Sequence, residues 1–295
     1  MCWKLRSLRV LNVGNTRQRA IPKEIGKLIH LKYLKLKEPD FGLSSLSIFN
    51  LQRLQTLDMC SRQEIKLPAE IGKLEELRHL IGNFSVEPLP KNSFQKLRTL
   101  KYVSNESWVK IIADHELVNL RELGIRVGYS FSRTEKFSFH SVTILKNLRI
   151  LHVDKHVNFD QALISFQELS HCQNLLVLRL RGDIDKLPEN IHEILPNLEC
   201  LHLTRFYPQV DPMPLYAKLP NLMFLHLLDC SVPYVKKLRC RANGFHRLEV
   251  LQIQKIEELQ VEEGALPRLK GLKIPNNCKL TTPDTTRSRI LKTMA

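Results

Sequence analysis

Several kinds of chemistry are missing from this sequence of 295 residues. It has 11 glycines, and none of them opens a GxxxxGK(S/T) loop that could cradle phosphates, so no nucleotide-binding residue is assigned. Seven cysteines (Cys2, Cys60, Cys172, Cys200, Cys230, Cys240 and Cys278) are odd in number, widely scattered and never spaced as CxxC. That excludes a disulfide framework and a zinc site by pattern and favours a reducing compartment. No stretch approaches the roughly 18 apolar residues of a membrane span. The segment Met1–Val13 also lacks the unbroken apolar core of a secretion signal. The expected location is therefore the cytoplasm. Neither an HExxH helix nor a GxSxG elbow is present. His152 and His156 are four apart, but the first is expected on a strand, so the spacing does not bring both to one helical face. We expect no enzyme, no cofactor and no metal. The sequons at Asn83 and Asn105 are three-residue patterns of the kind chance supplies.

What the chain has in excess is positive charge. Lys and Arg total 45 against 30 Asp and Glu, a formal +15. The excess is uneven: residues 1–113 carry +10, residues 114–228 carry −1 and residues 229–295 carry +6. A field of this sign suits an acidic protein surface, a nucleic acid or an anionic membrane. Nucleic acid is disfavoured, because the basic residues are dispersed and no reading helix or RNA-binding motif accompanies them. The run from Tyr129 to His140 mixes aromatic and basic residues that could stack on bases. It reads better as an inserted loop whose phenylalanines tuck against the body of the protein.

A pattern LxxLxxLxL, with apolar substitutes, recurs twelve times from end to end. It starts at Leu5, Leu28, Leu51, Leu74, Phe94, Leu117, Leu145, Cys172, Leu195, Leu219, Phe245 and Leu266, at spacings of 20 to 28 residues. The closing LxL, as in Leu34-Lys35-Leu36 or Leu201-His202-Leu203, alternates as a half-buried strand does. Between strands, Ile21-Pro22-Lys23-Glu24-Ile25-Gly26, Leu67-Pro68-Ala69-Glu70-Ile71-Gly72 and Leu187-Pro188-Glu189-Asn190-Ile191 mark returns on the opposite side, where proline breaks pairing and the flanking Leu and Ile turn inward. These features define a leucine-rich-repeat solenoid of α/β class: a curved horseshoe of about twelve repeats, parallel strands on the concave face and short helical or irregular convex segments. No single repeat can bury its own leucines, so stability is shared between neighbours. The longest spacings imply insertions around Tyr129–His140 and His156–Phe166. The polar residue three places after each LxL is mostly absent, Cys230 and Asn277 being the matches. The repeat domain is expected over 1–275, with a polar tail over 276–295.

The opening repeats, Leu8-Arg9-Val10-Leu11-Asn12-Val13 followed by Ile21-Pro22-Lys23-Glu24-Ile25-Gly26-Lys27-Leu28-Ile29-His30-Leu31-Lys32-Tyr33-Leu34, resemble those of plant intracellular nucleotide-binding leucine-rich-repeat disease resistance proteins, especially the coiled-coil class. Leu266-Pro267-Arg268-Leu269-Lys270-Gly271-Leu272-Lys273-Ile274-Pro275 is similar to the way such receptors close. The resemblance implies a protein-binding module that recognises pathogen-derived or modified host proteins and docks on a nucleotide-binding switch. That switch is absent from this chain. Met1 directly precedes the first repeat without a polar cap, which suggests a fragment, a truncated product or an edge covered by something else. A free-standing leucine-rich-repeat signalling scaffold and a basic nucleic-acid binder are the alternatives.

Two surfaces follow as expectations. Arg179, Arg181, His202, Arg205, Phe206, Tyr207 and His226 lie on or just after the later strands, and exposed arginine with aromatic side chains is the composition of interface anchors. Leu201, Leu203, Leu225 and Leu227 should point inward there, with His202 and His226 outward. Lys32, Lys35 and Lys37 sit in the basic first third, where mutual repulsion would favour an acidic neighbour such as the nucleotide-binding domain of a full-length receptor.

Overall fold

In a computed structural model of the chain, the described residues are 7–13, 21–37, 43–114, 117–127, 138–155, 165–184, 186–229, 235–285 and 290. They fall into two compact units, Met1–Glu135 and Lys136–Ala295.

The first unit is built on six parallel strands in chain order: β1 (Val10–Val13), β2 (Tyr33–Lys37), β3 (Thr56–Cys60), β5 (His79–Val86), β6 (Thr99–Ser104) and β7 (Glu122–Val127). A short β4 (Ile65–Leu67) adds to β5. The register puts like repeat positions side by side: Leu11 pairs with Leu34, Leu34 with Leu57, Leu57 with Leu80, Leu80 with Leu100 and Leu100 with Leu123. The leucines from Leu34 onward in this row are buried and the residues between them face the open side of the sheet, as period-two alternation requires. The register is pinned at the entry to each strand, where one carbonyl accepts two successive N–H groups of the next coil. The Lys32 carbonyl takes the amides of Gln55 and Thr56 at 2.8 and 2.9 Å, and the Gln55 carbonyl those of Arg78 and His79.

The proline motifs on the other side of the coil become single turns of 3-10 helix. In Lys23–Lys27 and Ala69–Lys73 the preceding Pro22 and Pro68 carbonyls accept from the Ile25 and Ile71 amides, both at 3.1 Å, and the two isoleucines are buried. Glycine follows each because the next coil lies against it: a Cβ on Gly26 would stand 2.6 Å from the Ser47 carbonyl oxygen. The third motif instead opens α2 (Ile191–Ile194), whose Ile191 amide bonds the Pro188 carbonyl. One connection carries a longer helix that the repeat pattern does not announce, α1 (Asn105–Asp114), which buries Trp108 and Ile111 completely or nearly so. Ser104 Oγ accepts from the Ser107 amide at its start. The sequon residues Asn83 and Asn105 are both buried, so neither presents an amide to a glycan.

The second unit repeats the plan with β8 (Ile150–Lys155), β9 (Val177–Ile184), β10 (Cys200–Phe206), β11 (Phe224–Leu228), β13 (Val250–Ile253) and β15 (Gly271–Lys273). The inward row runs Leu151, Leu178, Leu201, Leu225, Leu251 and Leu272, all in register and buried. Ring packing near its start confirms that Phe139 of the aromatic run is inside, its centroid 5.5 Å from that of Phe166. The part of that run before Ser138, and most of the insertion from His156, lie outside the described residues, as do Cys2 and Cys230.

Two features were not anticipated. A second parallel sheet, β12 (Lys237–Cys240), β14 (Glu258–Val261) and β16 (Lys279–Thr281), closes the last coils. Its free edge at β12 is held by Asp211, whose carboxylate accepts from the amides of Arg239 and Met213, the latter in α3 (Met213–Tyr216). Burial pushes the Asp211 carboxyl upward against those bonds and the charges of Arg239 and Arg241. Part of the segment expected as a polar tail, 276–295, joins this sheet. Lys279, Leu280 and Thr281 pair with Glu258, Leu259 and Gln260, because a charged–leucine–polar alternation recurs there, and Ile290 is fully buried.

The polar stitching between coils also sits elsewhere than expected. Asn277 is exposed, whereas the residue just before the second leucine forms the ladder in several repeats. Within the first unit Arg53 meets His30 at 3.2 Å, Lys96 pairs with Glu76, and Asn119 donates to the Gln95 carbonyl at 2.9 Å. Within the second, Asn174, Asn197 and Asn221 donate to the carbonyls of Lys146, Gln173 and Pro196 at 2.9 to 3.0 Å.

Candidate functional site

The outward residues of each sheet form columns, and the columns of the two units differ in chemistry. In the first unit the row beside the leucines reads Asn12, Lys35, Asp58, Ile81 and Lys101. Its charges are answered internally. Lys35 Nζ lies 3.0 Å from Asp58 Oδ2, the Tyr33 hydroxyl donates to the same oxygen at 3.5 Å, and Lys101 lies 2.7 Å from Glu122. His79, 3.0 Å from the Thr99 hydroxyl, is pushed down by burial and by the charges of Arg98 and Arg78. The three lysines of the expected docking cluster differ in their surroundings. Lys32 and Lys37 are exposed, but Lys35 is half-buried and neutralised within the unit, because register places Asp58 directly beside it.

In the second unit the corresponding row is His152, Arg179, His202, His226, Gln252 and Lys273, with no carboxylate in it. Next to it runs a second outward row, Ile150, Val177, Cys200, Phe224 and Val250, all half-buried. Leu201, Leu203, Leu225 and Leu227 point inward and are buried, as alternation requires. His202 and His226 stack, ring centroids 5.3 Å apart and planes 19° from parallel. Burial pushes His202 down to about 4, helped by the neighbouring His226, Arg179 and His152. His226 is lowered for the same reason, with Arg179 and Lys273 adding. Cys200, between Val177 and Phe224, is pushed up by burial, while the Arg179 guanidinium that hydrogen-bonds its sulfur acts in the opposite direction. On the far side of the histidine row, Arg181 faces Asp154 at 3.9 Å.

Of the residues expected at an interface, Arg179 and Arg181 are exposed and His202, Arg205, Tyr207 and His226 are half-exposed. Phe206 is not among them: it is 1% exposed, packed against Tyr216 with ring centroids 6.4 Å apart. The cause is a bulge. Thr204 pairs with Arg181 and Phe206 with Ile184, so the single residue Arg205, with φ of 59°, stands opposite two residues of β9, 182 and 183. Strict alternation from Leu203 would turn Phe206 outward; the left-handed backbone at Arg205 turns it in. A similar irregularity in the first unit leaves Tyr102 exposed at φ of 64° while Val103 takes the inward place.

The apolar row is not among the expected surfaces, although the sequence carries its signal: the residue preceding the first leucine of LxL is Ile, Val, Cys, Phe and Val in five successive repeats of the second unit. In the first unit that place holds Val, Tyr, Thr, His, Thr and Glu. Among the described residues no cluster of His, Cys, Asp and Glu could hold a metal ion, and no helix is long and apolar enough to cross a membrane.

Comparison with known proteins places this architecture. Among curated sequences, a putative disease resistance RPP13-like protein 2 of Arabidopsis thaliana is 36% identical over 306 residues, spanning 97% of this chain and 34% of the relative. The disease resistance protein RPP13 of Arabidopsis thaliana is 32% identical, over 96% of this chain and 32% of its own length. The chain thus spans about a third of the length of the curated relatives it matches. Among solved structures, an internalin from Listeria monocytogenes aligns over 99% of this chain and 87% of its own with a TM-score of 0.59 at 15% identity. A TDR receptor aligns over 95% of this chain and 48% of its own with a TM-score of 0.50 at 14% identity. These likenesses establish a shared fold. The family model for a leucine-rich repeat region matches residues 1–291, and the chain belongs to that family.

Proposed function

We propose that this chain is the protein-binding leucine-rich-repeat module of a plant disease resistance receptor, recognising a pathogen-derived or modified host protein in the cytoplasm. Its sequence relatives are named as disease resistance proteins, and leucine-rich repeats typically act as non-catalytic interaction modules. The observation that carries the reading is the open face of the second unit. Two adjacent rows, one cationic and aromatic, one apolar, stand in register on a rigid sheet without a carboxylate in either. A grid of side chains held by backbone pairing loses little freedom when it binds. Arg179, Arg181, His202, Arg205, Tyr207 and His226 are the residues assigned to the partner. Exposed Lys32 and Lys37, with Lys35 beside them, are assigned to docking on the nucleotide-binding domain of a full-length receptor.

The test is a binding assay with an identified partner, using Arg181→Ala and Tyr207→Ala in the full chain. Loss of affinity by about tenfold or more for the pair is expected for interface anchors. Unchanged affinity would remove this face from recognition. A free-standing scaffold or a basic nucleic-acid binder has no specific observation in its favour.

A further inference from the structure

Resting on that reading, we propose that the open face of the second unit takes an extended acidic segment of its partner, carboxylates on the Arg179–His202–His226 row and apolar side chains on the Val177–Cys200–Phe224 row, and that the stacked histidines take up a proton as it binds.

Register supplies the geometry. Neighbouring strands place Arg179, His202 and His226 in one line, and Val177, Cys200 and Phe224 in a parallel line two residues back along each strand. Adjacent strands lie roughly 5 Å apart. A segment crossing the strands therefore meets a new pair of side chains, one cationic or imidazole and one apolar, at each strand. Successive residues of an extended chain point to opposite sides. An alternation of acidic and apolar residues suits two neighbouring rows of this kind.

Charge supplies the choice of partner and the proton. The groups facing the histidine pair are His152 on β8, Arg179 on β9, Cys200 on β10 itself, neutral Gln252 on β13 and Lys273 on β15. All the formal charges among them are positive. Two imidazoles stacked at 5.3 Å beside a guanidinium stay neutral in the free protein at neutral pH, since a proton on either would be buried among like charges. A carboxylate set down on the pair reverses that balance. It adds a carboxylate to a row that contains none, pairs with Arg179, and raises the proton affinity of the imidazole it touches. An acidic ligand is favoured, a basic one is repelled, and complex formation binds protons from solution.

The probe is a synthetic capped peptide of alternating glutamate and valine, with lysine–valine and glutamine–valine peptides as controls, added to the full chain. The glutamate–valine peptide should bind, and bind about tenfold more tightly at pH 5.5 than at pH 7.5, as expected for roughly one proton taken up. Calorimetry in buffers of different ionisation enthalpy should register that proton. Arg179→Glu should abolish binding, whereas Lys66→Glu, an exposed charge in the first unit, should leave it intact. The double variant His202→Gln, His226→Gln should keep binding at pH 7.5 and lose its strengthening on acidification. Failure of the glutamate–valine peptide to bind, equal binding of the lysine–valine peptide, or equal loss from Lys66→Glu overturns the proposal. A pH-independent affinity that the double variant does not alter also overturns it. Such results leave the reading of this face as a protein interface to stand or fall on the Arg181 and Tyr207 variants.

Discussion

The two units share one inward row and differ in their outward ones. In both, leucines in register fill the interior and paired amides fix each strand to the one before. On the open face, the first unit answers Lys35 with Asp58 and Lys101 with Glu122. The second sets His202 against His226 and leaves carboxylates out of two rows. The inward residues are dictated by what every repeat must bury, and any apolar substitution there is paid in stability. The outward residues are held only by what they meet. A face whose rows pair their own charges has less to offer an acidic partner than one whose rows carry no carboxylate.

The largest expected effects concern what the units share. Leu34→Ala in the first and Leu201→Ala in the second each empty a fully buried site in the inward row of that unit and should each destabilise by about 2–5 kcal/mol. His202→Ala, one residue away and half-exposed, should cost far less at neutral pH. Denaturant titrations of the three variants check this. Comparable losses for Leu201→Ala and His202→Ala would break the register on which the comparison stands.

A smaller effect separates the outer faces by pH. An unfolded histidine titrates near 6.5, whereas His202 in the fold titrates at about 4. Between those values the unfolded chain holds a proton that the folded chain does not, so stability is complete above pH 6.5 and falls as pH drops through the window. His226 is lowered in the same direction. Thermal unfolding followed from pH 7.5 to 5 should show this loss. The His202→Gln, His226→Gln variant should flatten it more than His79→Gln in the first unit, where one histidine is lowered rather than a stacked pair. An equal flattening by His79→Gln would mean that the two faces do not differ in this respect.

How much of this was legible in the sequence follows the same division. The inward row was readable throughout, because burial of leucine every 20 to 28 residues leaves a periodic trace, and all twelve starting points lead into a strand of the main sheets. The outward direction of His202 and His226 was readable from alternation alone. Phe206 was not: the left-handed backbone at Arg205 breaks the alternation and turns the next side chain inward, and nothing in the local composition marks where alternation slips. Asp58 beside Lys35 was equally hidden. The two are 23 positions apart, and only the register makes them neighbours. The second sheet escaped because three-residue strands such as Lys279–Thr281 are too short to show a period of their own.

The smallest expected effect bears on that hidden pair. Asp58→Asn removes the partner of Lys35 and weakens an acceptor of the Tyr33 hydroxyl while keeping the side chain's shape. The pair is only partly buried and lies at the surface, so the loss of stability should be under about 1 kcal/mol. Binding should change more than stability. With Asp58 neutral, Lys35 joins exposed Lys32 and Lys37 as a cationic patch, and the glutamate–valine peptide should gain a second, salt-sensitive site on the first unit. That site would have no apolar row beside it, since the neighbouring place there holds Tyr33, Thr56 and His79. Its occupancy should therefore vanish at moderate salt, while the site on the second unit, backed by Val177, Cys200 and Phe224, persists. A titration of Asp58→Asn at low and moderate salt separates the two. If the new site holds the peptide as firmly as the old one, charge alone decides binding and the apolar row of the second unit has no part in it.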